Sequence, residues 1–145
     1  MTDLSWLRQH RCETLIKREC DWCLVLSDKA DIRIDCLWRL IEAGRIVITS
    51  EDHGHQFGLP APVDASVEFN RRVGNSWVTS TALREGSLDL SLGFASGHTL
   101  EMFPISSGYE AWEIGREKQR VIAVGGGELA TIGDTSGRTD VVPGR

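Results

Sequence analysis

The chain has 145 residues, 41% of them hydrophobic and 26% charged, with 21 acidic against 16 basic side chains and a net charge of −5. That is one domain's worth of chain with an ordinary globular composition, long enough to bury a real core. The acidic balance argues against a nucleic-acid binder, which needs a basic face for phosphates, and no apolar run approaches the roughly 18 residues of a membrane span.

Residues 1–10 hold no apolar stretch of the signal-peptide kind, so the expected compartment is the cytoplasm, where thiols stay reduced. Residues 14–17 and 21–26 read as strands, the second with Trp22, Leu24 and Leu26 on one face. Asp28-Lys29-Ala30-Asp31 reads as a turn. Ile32, Ile34 and Cys36 then alternate with Arg33 and Asp35, the period of a half-buried strand. Residues 37–43 are expected to make a helical turn ended by Gly44. Ile46, Val47 and Ile48 in succession suggest a strand buried on both faces. Residues 50–56 are polar and form a loop, and residues 57–62, with two prolines, an irregular extended stretch.

Residues 63–73 are the best helix candidate. Pro62 or Asp64 starts it, Gly74 ends it, and Val63, Val67 and Val73 form an apolar stripe with Phe69 off it. Residues 77–83 form a strand with Trp77, Thr79, Thr81 and Leu83 on one face. Leu88, Leu90, Leu92 and Phe94 alternate with polar residues and Gly93, Ser96-Gly97-His98 is a turn, and Leu100 and Met102 continue the alternation to Pro104. Residues 109–114, 120–124 and 129–132 are further strands, and residues 133–145 an expected disordered tail.

The halves resemble each other. At an offset of 68 residues Leu15, Leu24, Leu26, Ile32 and Ile34 meet Leu83, Leu92, Phe94, Leu100 and Met102, and Glu42-Ala43 meets Glu110-Ala111. The expected fold is therefore β-rich α+β: two related antiparallel meanders in one domain (residues 1–132, halves about 12–62 and 76–132), with one main helix between them. Nine or ten strands are counted, in two meanders packed face to face or joined in one curved sheet.

Three constellations carry potential chemistry. Cys20 and Cys23 form a C-x-x-C between Cys12 and Cys36, but a four-Cys zinc site has two such knuckles, and Cys36 lies in an alternating strand. Glu51-Asp52-His53-Gly54-His55 puts two imidazoles and two carboxylates together. His53 and His55, with His98 from the other half, are the candidate metal ligands, and Glu51 and Asp52 join them as candidate contact residues. Tyr109, Glu110 and Trp112 interleave aromatics and a carboxylate, as an interaction surface does. If Glu110 faces the core with Trp112 and Ile114, it needs a donor, for which Arg39, Arg45 and Arg120 are the candidates. The glycine triplet at 125–127 lacks a phosphate-loop lysine, and no serine sits in a G-x-S-x-G frame.

The segments Leu37-Trp38-Arg39-Leu40, residues 49–60 (TSEDHGHQFGLP) and Gly108-Tyr109-Glu110-Ala111-Trp112 resemble a family of small bacterial proteins of no established activity, built as a duplicated β-meander closing on a YEAW-type strand. The likeness spans roughly residues 12–132. By analogy of build it is similar to the immunity proteins of bacterial toxin systems, and it implies no catalytic residues. The leading functional expectation is a non-enzymatic binding protein, an immunity-type inhibitor whose protein partner is a basic toxin, with no cofactor. A metal-dependent enzyme centred on the His-rich loop is the alternative. A homo-oligomeric structural module, a homodimer in its simplest form, is the third.

Overall fold

The computed structural model describes residues 2–133 and 139–142. Strands form over runs rich in apolar and β-branched residues. They are β1 (Cys12–Lys17), β2 (Trp22–Leu26), β3 (Ala30–Ile34), β4 (Leu37–Glu42), β5 (Arg45–Thr49), β6 (Val78–Leu83), β7 (Leu90–Phe94), β8 (His98–Phe103), β9 (Trp112–Arg116), β10 (Gln119–Val124), β11 (Glu128–Gly133) and β12 (Thr139–Val142). The helix α1 spans Ala65–Val73 between β5 and β6. In β3, β7 and β8 every second side chain is buried, the signature of a sheet with one face on the core.

All pairings are antiparallel. One sheet runs β1-β2-β3-β9-β10-β11, extended by the short β12, and the other runs β5-β4-β8-β7-β6. The halves share this plan in an exchanged form. Each contributes a three-strand meander to one sheet, and its next hairpin crosses to the sheet of the other half. Thus β3 pairs with β9, and β8 with β4. Trp112 stands opposite Ile34 just as Trp38 stands opposite Met102, and Glu113 opposite Arg33 just as Arg39 opposite Glu101. Even the irregularities repeat: β1 is bulged between Cys12 and Thr14, and β6 between Val78 and Ser80.

The 68-residue offset holds only for the inner meander strands. Cys12 corresponds to Val78, because each faces the equivalent residue, Leu26 or Phe94. Beyond Ile34 and Met102 the offset grows: Trp38 corresponds to Trp112, whereas a 68-residue shift would place it on Ser106. The likeness of Glu42-Ala43 to Glu110-Ala111 is therefore accidental, since Glu42 faces His98 in the sheet and Glu110 precedes β9.

Several local expectations give way to tertiary context. Residues 37–42 are strand β4 rather than a helical turn; Trp38 and Leu40 alternate inward between two partner strands. β5 lies at a sheet edge with Arg45 and Ile46 exposed and only Ile48 buried, so its apolar run is not buried on both faces. Among the described residues twelve strands replace the nine or ten expected, because of β4 and β12. The expected disordered tail falls partly outside the described residues; within it Thr139–Val142 pair with β11.

In α1, Asp64 caps the start by accepting the Ser66 and Val67 N–H groups, and Gly74 ends the helix. Its buried face is Ala65, Phe69 and Val73, whereas Val67 is exposed. Phe69 joins an edge-to-face aromatic row, Trp22–Trp38–Phe69–Phe94, with centroids 5.2, 5.8 and 6.3 Å apart. This row ties both sheets and the helix into one core. The helix also closes the free edge of β1: the Asn70 side chain accepts the Leu15 N–H (2.7 Å) and donates to the Leu15 carbonyl (3.0 Å), as a neighbouring strand would. The 3-10 turn Ser5–Gln9 buries Leu7, and the following backbone bonds to Ser76 and Val78. No helix among the described residues is long and apolar enough to cross a membrane.

Candidate binding site at the second crossover

Where a half passes from one sheet to the other, the chain needs very few residues. Between β3 and β4 only Asp35 and Cys36 intervene. Between β8 and β9 the chain spends residues 104–111 on the same step. The fold does not require these extra residues, as the other half demonstrates.

The longer crossover is held in place. Ser106 Oγ accepts the Gly108 and Tyr109 N–H groups, both at 3.0 Å. The Ala111 N–H donates to the Ala123 carbonyl (2.9 Å), and the Asp35 N–H to the Ala111 carbonyl (2.8 Å), so the two crossovers are bonded together. Gly125 seats the loop: a Cβ there would lie 2.5 Å from the Gly108 backbone, which a side chain does not tolerate.

The loop directs Ile105 and Tyr109 into solvent, 72% and 81% exposed, while Ala111 and Trp112 turn into the core. It forms one wall of a cleft of about 690 Å³, completed by Arg33, Asp35 and Cys36. Ile105 also borders two smaller adjoining cavities, one reaching Cys20 and Glu51, the other Leu88 and Gly127.

Charge on this face is arranged as a chain of ion pairs. Arg33 meets Glu110 at 2.8 Å, Glu113 at 3.6 Å and Asp35 at 3.8 Å. Arg120 reaches Glu113 and Asp31, and Gly115 leaves room for its guanidinium, which a Cβ would strike. Two guanidiniums thus face four carboxylates, leaving an excess of negative charge beside the exposed Tyr109. Glu110 is exposed rather than core-facing, and it pairs with Arg33 rather than with Arg39, Arg45 or Arg120; β3 and β9 are neighbours only through the exchange of hairpins.

The residues singled out in the sequence separate into different environments. Tyr109 and Glu110 line the cleft, and Glu51 lines the adjoining cavity. Trp112 is fully buried and donates its indole N–H to the Leu88 carbonyl (2.9 Å), a core role. Asp52 closes a capping box with Thr49 at the 3-10 turn Ser50–Asp52. His53 Nδ1 accepts the Ala65 N–H (3.1 Å) at the start of α1, and its ring meets Trp22 edge-on. His55 stacks on Phe57 with centroids 5.6 Å apart. His98 opens β8, buried, with Ser96 Oγ 2.9 Å from Nδ1; Glu42 Oε1 lies 2.6 Å from Nε2 but is not aligned to hydrogen-bond with it.

The three histidines are thus committed to different neighbours, and among the described residues no group of three or more His, Cys, Asp or Glu is placed to hold a metal. Cys12 and Cys23 are buried in strands, and burial pushes the Cys12 thiol up to about 12. The signal that sequence reading missed is the unequal spacing of the two halves, together with the role of Ile105 and Arg33.

A second apolar surface lies beside α1. Residues 55–63 fold into a loop closed by the Val63 N–H to the His55 carbonyl (2.7 Å). It holds Phe57 and Leu59 outward, 66% and 50% exposed, over a groove of about 490 Å³ that Val47, Val63 and Val67 also line.

Comparison of the chain with known protein families, with curated proteins and with solved structures found no match.

Proposed function

We propose that the protein is a non-enzymatic binding protein of the immunity type, which holds a basic protein partner at the second crossover. The observation that carries this reading is the crossover itself. One half needs two residues for the step and the other spends eight, and among the latter are an exposed tyrosine and isoleucine on a hydrogen-bonded loop. Exposed aromatics on a rigid frame make strong contact anchors, because they bury much area for little lost side-chain freedom. The carboxylate excess beside them supplies charge complementary to lysine or arginine, and the net charge of −5 steers a basic partner inward.

The test is purification from the native host of the wild type, of Ile105→Ser/Tyr109→Ala, and of a control, Ile46→Ser, on the exposed edge strand. A basic protein that accompanies the wild type and the control, but not the double variant, is expected. Co-expression with that partner then restores growth only when the cleft is intact. A partner retained by the double variant, or none with any of the three, defeats the reading.

A further inference from the structure

The β4–β5 and β9–β10 hairpins are the same unit in the two halves. Each begins at the crossed tryptophan, Trp38 or Trp112, and turns on two residues, 43–44 or 117–118. What lies beyond them differs. The outer side of β10 carries β11, antiparallel and paired along the whole strand from Gln119 to Val124. The outer side of β5 carries no strand: β5 ends its sheet, and the chain leaves it for the turn Ser50–Asp52 and the loop before α1. The fold thus fills a strand position in one half and leaves the equivalent position open in the other.

The open edge is unprotected. The edge of β1 is closed by Asn70, and that of β6 by the Val78 N–H to the His10 carbonyl (3.1 Å) and the Arg11–Trp77 bridge. Among the described residues the backbone of 45–48 makes no hydrogen bond except in pairing with β4; only the Thr49 N–H is taken, by Asp52 (3.0 Å). A bulge against β4 between Leu40 and Ile41 bends the strand without covering its outer side. Edges left bare are commonly blunted by lysine or proline, and β5 has neither: Ile46, Val47 and Ile48 follow Arg45, with Ile46 56% exposed on its own. Val47 and Ile48 also form one wall of the groove beside α1, which opens along this edge.

We propose that the strand missing beside β5 is supplied by β5 of a second copy, in an antiparallel two-fold pair that joins the two five-stranded sheets into one. The charges select a second copy. Among the described residues Arg45 enters no ion pair, and the groove carries Asp52 and Asp64 with no lysine or arginine bound to either. Antiparallel pairing of a strand with itself sets its first residue beside the last residue of its copy. Arg45 therefore comes to the end of the opposite β5, where Thr49 and the Ser50–Asp52 turn stand, and its guanidinium meets the Asp52 carboxylate. Two-fold symmetry makes this contact twice, and it covers Ile46 of both copies. The pairing uses no residue of the crossover cleft and does not depend on the binding reading.

The test is light scattering and sedimentation of the full chain over a wide concentration range, with hydrogen exchange at the β5 amides. The wild type should reach the mass of two chains as concentration rises, and the Ile46 and Val47 amides should become protected with it. Ile46→Lys and Arg45→Glu change exposed side chains, so they should fold as the wild type does, yet weaken association by about tenfold or more. Arg45→Lys should retain the dimer, and so should Ile105→Ser/Tyr109→Ala, which separates this interface from the cleft. A monomer at every concentration, a dimer that Ile46→Lys and Arg45→Glu leave intact, or a dimer whose β5 amides exchange as in the monomer would each overturn the proposal.

Discussion

Trp38 and Trp112 are the same residue twice. Each stands on the first hairpin strand that crosses to the other half's sheet, opposite Met102 and Ile34 respectively, and each is buried, at 1% and 0% exposure. They differ in one atom's surroundings. Trp112 Nε1–H donates to the Leu88 carbonyl, whereas Trp38 Nε1–H has no hydrogen-bond partner among the described residues, with the Trp22 and Phe69 rings packed edge-to-face about it. Trp112→Phe removes a made hydrogen bond, and Trp38→Phe removes an unmade one. Both variants lose apolar area, but Trp112→Phe should cost about 1 kcal/mol more. Urea unfolding of the two proteins measures the difference, and equal losses would contradict the assignment.

The Asn70 amide stands in for a strand at the edge of β1. Asn70→Ala leaves both the N–H and the carbonyl of Leu15 without it. We expect a loss of about 1–3 kcal/mol and much faster hydrogen exchange at the Leu15 amide, with exchange in β7 and β8 tracking only the global loss. An unchanged Leu15 exchange rate would show that the edge is held by other means.

Phe57 adopts a left-handed conformation, φ +51°, with its ring mostly in solvent. For a bulky L-residue that conformation costs about 1–2 kcal/mol, which exceeds the roughly 0.5–1 kcal/mol that glycine loses through its freer unfolded chain. Phe57→Gly should therefore stabilise the protein by about 0.5–1 kcal/mol in thermal or chemical unfolding. A clear destabilisation would mean that the stack with His55 contributes more than the backbone strain takes away.

Glu68 is flanked by Arg71 and Arg72, each 2.8 Å away, whose hydrogen bonds hold its carboxyl at about 2, against an ordinary 4.5. A carboxylate lowered on folding stabilises the native state above its unfolded value, and that contribution fades as pH falls from 4.5 toward 2. The cluster is partly in solvent, so screening limits the effect to at most about 1 kcal/mol. Glu68→Gln should be less stable than wild type at pH 7, and the two should converge near pH 2. Urea midpoints at both pH values decide it; a constant gap would show that the loss is one of packing.

The sequence by itself determined the strands of the inner meanders, their inward residues and the helix with its caps. Ile32, Ile34, Leu90, Leu92, Leu100 and Met102 are buried where the alternation placed them, because side chains of a strand alternate faces whatever it pairs with. It also carried the duplication, through apolar residues that recur at one offset. Only the tertiary structure decided which strands pair. The exchange of hairpins is a long-range choice with no local signal, and it alone turns residues 37–42 into a central strand and joins Arg33 to Glu110. The inward face of the helix is illegible for the same reason: Val63, Val67 and Phe69 are all apolar, and only the position of Trp38 fixes which of them turns inward. The cleft was the least legible feature. Its loop exists as an excess of one crossover over the other, and that excess is defined only once Trp38 and Trp112 are seen to occupy the same place.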